Sequence, residues 1–163
     1  MTAPAEVVLR PLRESDAERM ALLHVAVWEE AYGGLMAPEI LAARRASLDE
    51  RVAGWRNAAA SSLAATTVAE HDGDLVGFVS VGPGRDEDLD LEVELWALYA
   101  RAAWWGRGLG HRMLTHALAA RASYLWVLDG NERATGFYRR QGFVADGTER
   151  HEPEGRELRM VRR

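Results

Sequence analysis

The chain has 163 residues, 48% of them hydrophobic and 28% charged, which fits one globular domain spanning residues 1–163 and excludes a disordered segment. A net charge of −5 makes it a poor nonspecific ligand for nucleic acid or anionic membrane, and no apolar run approaches the roughly 20 residues that span a bilayer. With no cysteine, disulfides, thiolate metal sites and a cysteine nucleophile are excluded, and because Met1–Leu12 lacks the apolar stretch of a secretion signal, a cytoplasmic location is expected.

Val7–Arg10 reads as a short strand closed by Pro11. Ser15 or Asp16 then caps a helix whose stripe runs through Ala17, Met20, Ala21, Leu23, His24, Val27 and Trp28, and Tyr32-Gly33-Gly34 ends it. Pro38 suits the first turn of a second helix, with more helix around Leu48, Val52 and Trp55. Ala64–Glu70 and Leu75–Val81 are strands joined by a hairpin turn in which Asp72-Gly73 supplies positive φ. The acidic run Asp86–Asp90 reads as a solvated loop able to attract a cation, and Leu91–Ala100 as the next strand. Leu109, Met113, Leu114, Ala117 and Leu118 form a helix face. Tyr124–Leu128 is a buried strand, followed by a helix through Ala134, Phe137 and Tyr138 that Gly142 closes. A strand from Phe143 and a hairpin through Glu152-Pro153-Glu154-Gly155 complete an α+β pattern without internal repeats.

The junction at residues 98–114 carries the chemistry. A strand runs into Gly106, Gly108 and Gly110 and then into a helix, so backbone N–H groups converge where the helix dipole is positive and can cradle a phosphate. The register rejects two familiar nucleotide loops. No lysine follows, as a Walker loop requires, and the glycines are one residue tighter than the dinucleotide fingerprint and lie late in the chain. Elsewhere, no serine sits in a nucleophile elbow, and His111 and His116 are five apart where a helical metal pair needs four, so no metal is expected.

Trp105-Gly106-Arg107-Gly108-Leu109-Gly110 resembles the acyl-CoA loop of the GNAT N-acetyltransferase superfamily, [QR]-x-x-G-x-[GA], with Trp105 in place of the first residue. Glu94–Ala100 resembles the family's fourth strand. Residues 131–143, NERATGFYRRQGF, resemble its N-x-x-A-x-x-F-Y-x-x-x-G-F segment, and residues 5–15 its N-terminal strand and helix start. The resemblance implies a mixed, mostly antiparallel twisted sheet flanked by helices. It also implies transfer of acetyl from acetyl-CoA to a primary amine, on a small molecule or a protein N-terminus, by direct attack in a ternary complex.

The site residues follow from that resemblance. Leu98, Tyr99 and Ala100 bind the pantetheine through strand backbone; Gly106, Arg107, Gly108, Leu109, Gly110 and His111 bind the pyrophosphate, with Arg107 and Arg112 as candidate charges; and Asn131 caps a helix and contacts pantetheine. Tyr138 is the general acid for the leaving thiolate. Glu94, which strand alternation places on one face with Trp96 and Leu98 as a partly desolvated carboxylate, is the candidate base. Trp28 and Tyr32 fall where the acceptor amine binds, and Trp104 and Trp105 shield the cofactor or meet a partner in a homodimer. The second reading, a non-catalytic acyl-CoA sensor or partner-binding module on the same fold, is disfavoured by Tyr138 and Glu94 both being present. A third, a nucleotide-binding protein, predicts a larger thermal shift with NAD or ATP than with acetyl-CoA.

Overall fold

The computed structural model describes residues 6–163, so residue 5, the first of the N-terminal match, lies outside the described residues. Seven strands form one sheet in the order β1-β2-β3-β4-β5-β7-β6. They are β1 (Val8–Pro11), β2 (Ala65–His71), β3 (Asp74–Pro83), β4 (Val93–Ala100), β5 (Ser123–Leu128), β6 (Val144–Glu152) and β7 (Gly155–Arg162). Every neighbouring pair is antiparallel except β4–β5, which is parallel. The five helices are α1 (Ala17–Tyr32), α2 (Pro38–Ala46), α3 (Leu48–Ala60), α4 (Leu109–Leu118) and α5 (Glu132–Arg140). The mixed, mostly antiparallel sheet flanked by helices is the expected architecture.

Alternation along the strands divides the core between two faces. Ala69 and Val79 pack with Leu109, Met113, Leu114 and Leu118 of α4, whereas Val68 and Phe78 pack with Met20, Leu23 and Val27 of α1. The β2–β3 turn has φ of 52° at Asp72 and 85° at Gly73, as the Asp-Gly pair implies. At the start of α1, Asp16 makes no capping bond to the helix. Its carboxylate instead takes Arg10 Nη1 at 2.7 Å, Arg19 Nη2 at 2.8 Å and the Arg13 N–H at 2.9 Å, fastening α1 to β1.

Two expectations change here. The acidic run is tethered as well as solvated, with Asp88 and Asp90 exposed but ion-paired. Arg159, 4% exposed, binds Asp86 at 2.8 Å, Asp88 at 2.9 Å and Asp146 at 2.6 Å, and Arg163 binds Asp90 at 2.8 Å. The loop's charge therefore neutralises arginines of β7 and the chain end. Second, β4 contains a bulge: Val81 opposes Leu95 and Ser80 opposes Ala97, leaving Trp96 as the extra residue. Gly82 makes room for it, because a Cβ there would lie 2.7 Å from the Trp96 ring. The bulge breaks the simple alternation of β4. Leu95 and Leu98, three apart, both join the α4 side of the core, so Glu94 faces the opposite side from Leu98.

Candidate active site

β4 and β5 pair only at Glu94–Tyr124 and Leu95–Leu125, then diverge. Beyond the bulge, β4 thus has an unpaired edge within the molecule. The Arg101 N–H donates to the Val76 carbonyl at 2.9 Å on β3, so by alternation the polar groups of Leu98 and Ala100 face the gap. A cavity of about 490 Å³ fills this gap, walled by β4, β5, the glycine loop and α5.

The loop reaches this cavity in an unusual backbone conformation. Gly106 and Gly108 have φ of 73° and 82°, which disfavours any side chain, and the space around their missing Cβ atoms is open. No side chain caps α4, and its first intrahelical bond is Arg112 N–H to the Gly108 carbonyl, leaving the N–H groups of Leu109, Gly110 and His111 without helical partners. Gly110 has a different purpose: a Cβ would come within 3.3 Å of Phe137. His111 lines the cavity, with Nδ1 2.7 Å from Gln141 Oε1.

Neither predicted loop arginine lines the cavity. Arg107 lies over Trp104, 5.5 Å from its ring centre, and Arg112 donates to the Val7 carbonyl at 3.0 Å. Arg133 of α5 lines it instead, stacked 3.6 Å from the ring centre of Trp105. The Trp105 indole N–H in turn donates to the Ala100 carbonyl at 2.9 Å, closing the end of the β4 edge. This Trp105–Arg133 unit escaped the sequence reading. Its signal was helical spacing, since Arg133 precedes Phe137 by one turn of α5. Trp104 packs on His71 with ring centres 4.8 Å apart, so both tryptophans have contacts within the chain.

Three tyrosines meet this cavity. Tyr138 is buried, which pushes its phenol well above the ordinary range; the nearby Tyr32 adds to this and Arg133 opposes it. The Tyr32 and Tyr99 hydroxyls are 2.7 Å apart, and burial raises both. Asn131 lines the cavity and caps α5, accepting from the Ala134 N–H at 3.3 Å.

A second cavity of about 330 Å³ adjoins the first, and Tyr32, Leu95, Trp96, Tyr99 and Trp126 line both. Trp28 and Glu94 belong to the second. Glu94, expected as a partly desolvated carboxylate, is fully buried and tightly held. It is 1% exposed, and its oxygens accept from Arg85 Nη2 at 2.7 Å, Arg85 Nε at 3.0 Å, the Arg85 N–H at 3.2 Å and the Tyr124 hydroxyl at 3.1 Å. Arg44 of α2 also lines this cavity, 2.9 Å above the Trp28 ring centre.

The sheet is splayed between two central strands, with a glycine-rich loop and an uncapped helix start at the mouth of the gap. The profile of the "Acetyltransferase (GNAT) family" matches residues 27–143, and the chain belongs to that family. It is 30% identical over 142 residues to uncharacterized N-acetyltransferase Rv2669 of Mycobacterium tuberculosis, covering 82% of this chain and 86% of that protein. It is 24% identical over 156 residues to probable N-acetyltransferase Rv2775 of the same organism, covering 88% and 83%. In fold it resembles the PaiA N-acetyltransferase of Thermoplasma acidophilum, solved in complex with coenzyme A, with a TM-score of 0.72, 17% identity and coverage of 96% and 99%. It likewise resembles PH1933 of Pyrococcus horikoshii, with a TM-score of 0.72, 21% identity and coverage of 97% and 98%. No helix among the described residues is long and apolar enough to cross a membrane.

Proposed function

We propose that the protein transfers acetyl from acetyl-CoA to a primary amine by direct attack within a ternary complex. The observation that carries this reading is the pair of adjoining cavities, one edged by open strand and helix N–H groups, the other by aromatic and charged side chains. An extended pantetheine arm pairs with the Leu98 and Ala100 backbone as a strand would, and the pyrophosphate takes the N–H groups from Leu109 to His111. Arg133, held by Trp105, supplies the positive charge that Arg107 was expected to bring.

The amine nitrogen donates its lone pair to the thioester carbonyl carbon, and the oxyanion is stabilised by a β4 backbone N–H. As the C–O double bond re-forms, the C–S bond breaks and its electron pair leaves on sulfur. Tyr138, kept protonated by burial, gives its proton to that sulfur, and the charge of Arg133 supports the phenolate left behind. The amine loses its own proton to water in the second cavity. Glu94, already engaged by Arg85, acts there as a fixed negative charge that orients an ammonium.

An amine panel with a thiol-release readout tests the reading. Release of free coenzyme A should require an amine, and Tyr138→Phe should lower turnover roughly 10²-fold while acetyl-CoA affinity is kept. Acetyl-CoA binding without amine-dependent thiol release, indifferent to Tyr138→Phe, would make the protein an acyl-CoA-binding module.

A further inference from the structure

Arg44 brings to the second cavity guanidinium donors that nothing among the described residues accepts. Of the cavity's other arginines, Arg85 is paired with Glu94 at 2.7 Å and Arg150 with Glu157 at 2.9 Å. Arg44 is half-buried, yet no carboxylate among the described residues pairs with it; Glu154 lines the same cavity and forms no ion pair with it. Beneath its guanidinium, the Trp28 indole N–H has no acceptor among the described residues and is closed off by burial. Arg51, whose Nε is bound to the Arg44 carbonyl at 3.1 Å, adds a like charge nearby. Desolvation, then this repulsion, lowers the Arg44 pKa to about 10. A partly desolvated guanidinium in a cavity wall, with no counter-ion among the described residues, forms a site that lacks its anion.

We propose that the acceptor is a small amine that also carries a carboxylate, and that Arg44 receives that carboxylate. The proposal rests on the acetyltransferase reading of the first cavity. A volume of about 330 Å³ suits a molecule of amino-acid size, and the Trp28, Trp96 and Trp126 walls suit an apolar body. An amine or amide without the carboxylate leaves Arg44 unsatisfied, and selection against it follows from that missing bond.

The test uses matched probes: phenylalanine and leucine, their amides, and the corresponding decarboxylated amines. Binding is measured by calorimetry to the full chain saturated with coenzyme A, and turnover separately with acetyl-CoA. At least one acid should bind tenfold or more tighter than its amide and amine. Arg44→Gln should abolish that preference, Arg44→Lys should keep part of it, and coenzyme A affinity should stay constant in both. In the wild-type protein, 3-phenylpropionate, a carboxylate without an amine, should compete with the bound acid, a result that needs no variant to fold. The proposal is overturned if no acid binds, if amides or amines bind as well as acids, or if the preference survives Arg44→Gln. It is also overturned if Arg44→Gln and Glu154→Gln destabilise the protein equally and non-additively without touching selectivity, because Glu154 is then the partner. Failure of the acetyltransferase reading looks different: Arg44-dependent binding of the acids with no thiol released from acetyl-CoA.

Discussion

The two cavities are built from different materials. The first is made largely of backbone: the open edge of β4, the left-handed Gly106 and Gly108, and the uncapped start of α4. The second is made of side chains from separate elements, including Trp28 of α1, Arg44 of α2, Glu94 of β4, Trp126 of β5 and Glu157 of β7. Backbone reads amides and phosphates, which every coenzyme A thioester shares. Side chains can be exchanged one at a time without disturbing the fold, so such a wall is suited to selecting one acceptor among many.

This contrast predicts where damage falls. Gly108→Val forces a β-branched residue to φ near 82° and should weaken acetyl-CoA binding about tenfold to a hundredfold, with Arg133→Ala costing less on the same readout. Acceptor affinity measured on the coenzyme-saturated protein should hardly change in either variant. An equal loss for both ligands would show that the two cavities are not independent.

Glu94→Gln should do the reverse. It removes a fixed charge from the second cavity while leaving the backbone cradle intact, so the KM for the amine should rise several-fold and the affinity for acetyl-CoA should hold. Loss of the acidic limb of the pH–rate profile would instead make Glu94 the proton acceptor, as the bare sequence suggested. A change confined to KM, with the profile in place, fits the ion-paired carboxylate seen here.

The smallest effect concerns acid stability behind the second cavity. His24 packs edge-on against Trp28, Trp55 and Phe78, and burial pulls its pKa from 6.5 to about 3. Between these values the unfolded chain binds a proton that the folded chain does not, so stability is complete above about pH 6.5 and falls as the pH drops toward 3. Asp16, held below its ordinary 3.8 chiefly by Arg10, contributes acid sensitivity only at lower pH. A fall of roughly 4–8 °C in the thermal midpoint between pH 7 and pH 5 should therefore vanish in His24→Phe.

What could be read from the sequence follows the same division. Gly106, Gly108, Asn131 and Tyr138 sit within one short stretch, and the turns and caps that place them are local. The α5 cap and the hairpins were legible for that reason. Of the second cavity's wall, Trp28, Tyr32 and Glu94 were legible, but its long-range pairings were not: Arg44 meets Trp28 only once α2 folds back on α1, and the acidic loop finds Arg159 more than sixty positions later. The β4 bulge mattered most. By adding Trp96 between Leu95 and Ala97 it shifted the alternation, so Glu94 faces away from Leu98, a displacement that no count along the strand reveals.

The divergence of β4 from β5 has a further consequence, for aggregation. Unpaired strand edges invite pairing with other chains, and proteins usually blunt them at the rim of a sheet. Here such an edge lies in the middle, walled by α5, Trp104 and Trp105, with the Trp105 indole closing its last carbonyl. A slender amide-bearing chain can thread this slot, whereas a strand of another protein, with side chains on both faces, cannot. The protein thus keeps an adhesive surface open to its ligand while denying it to its neighbours, and loosening the tryptophan wall would remove that protection along with the cofactor site.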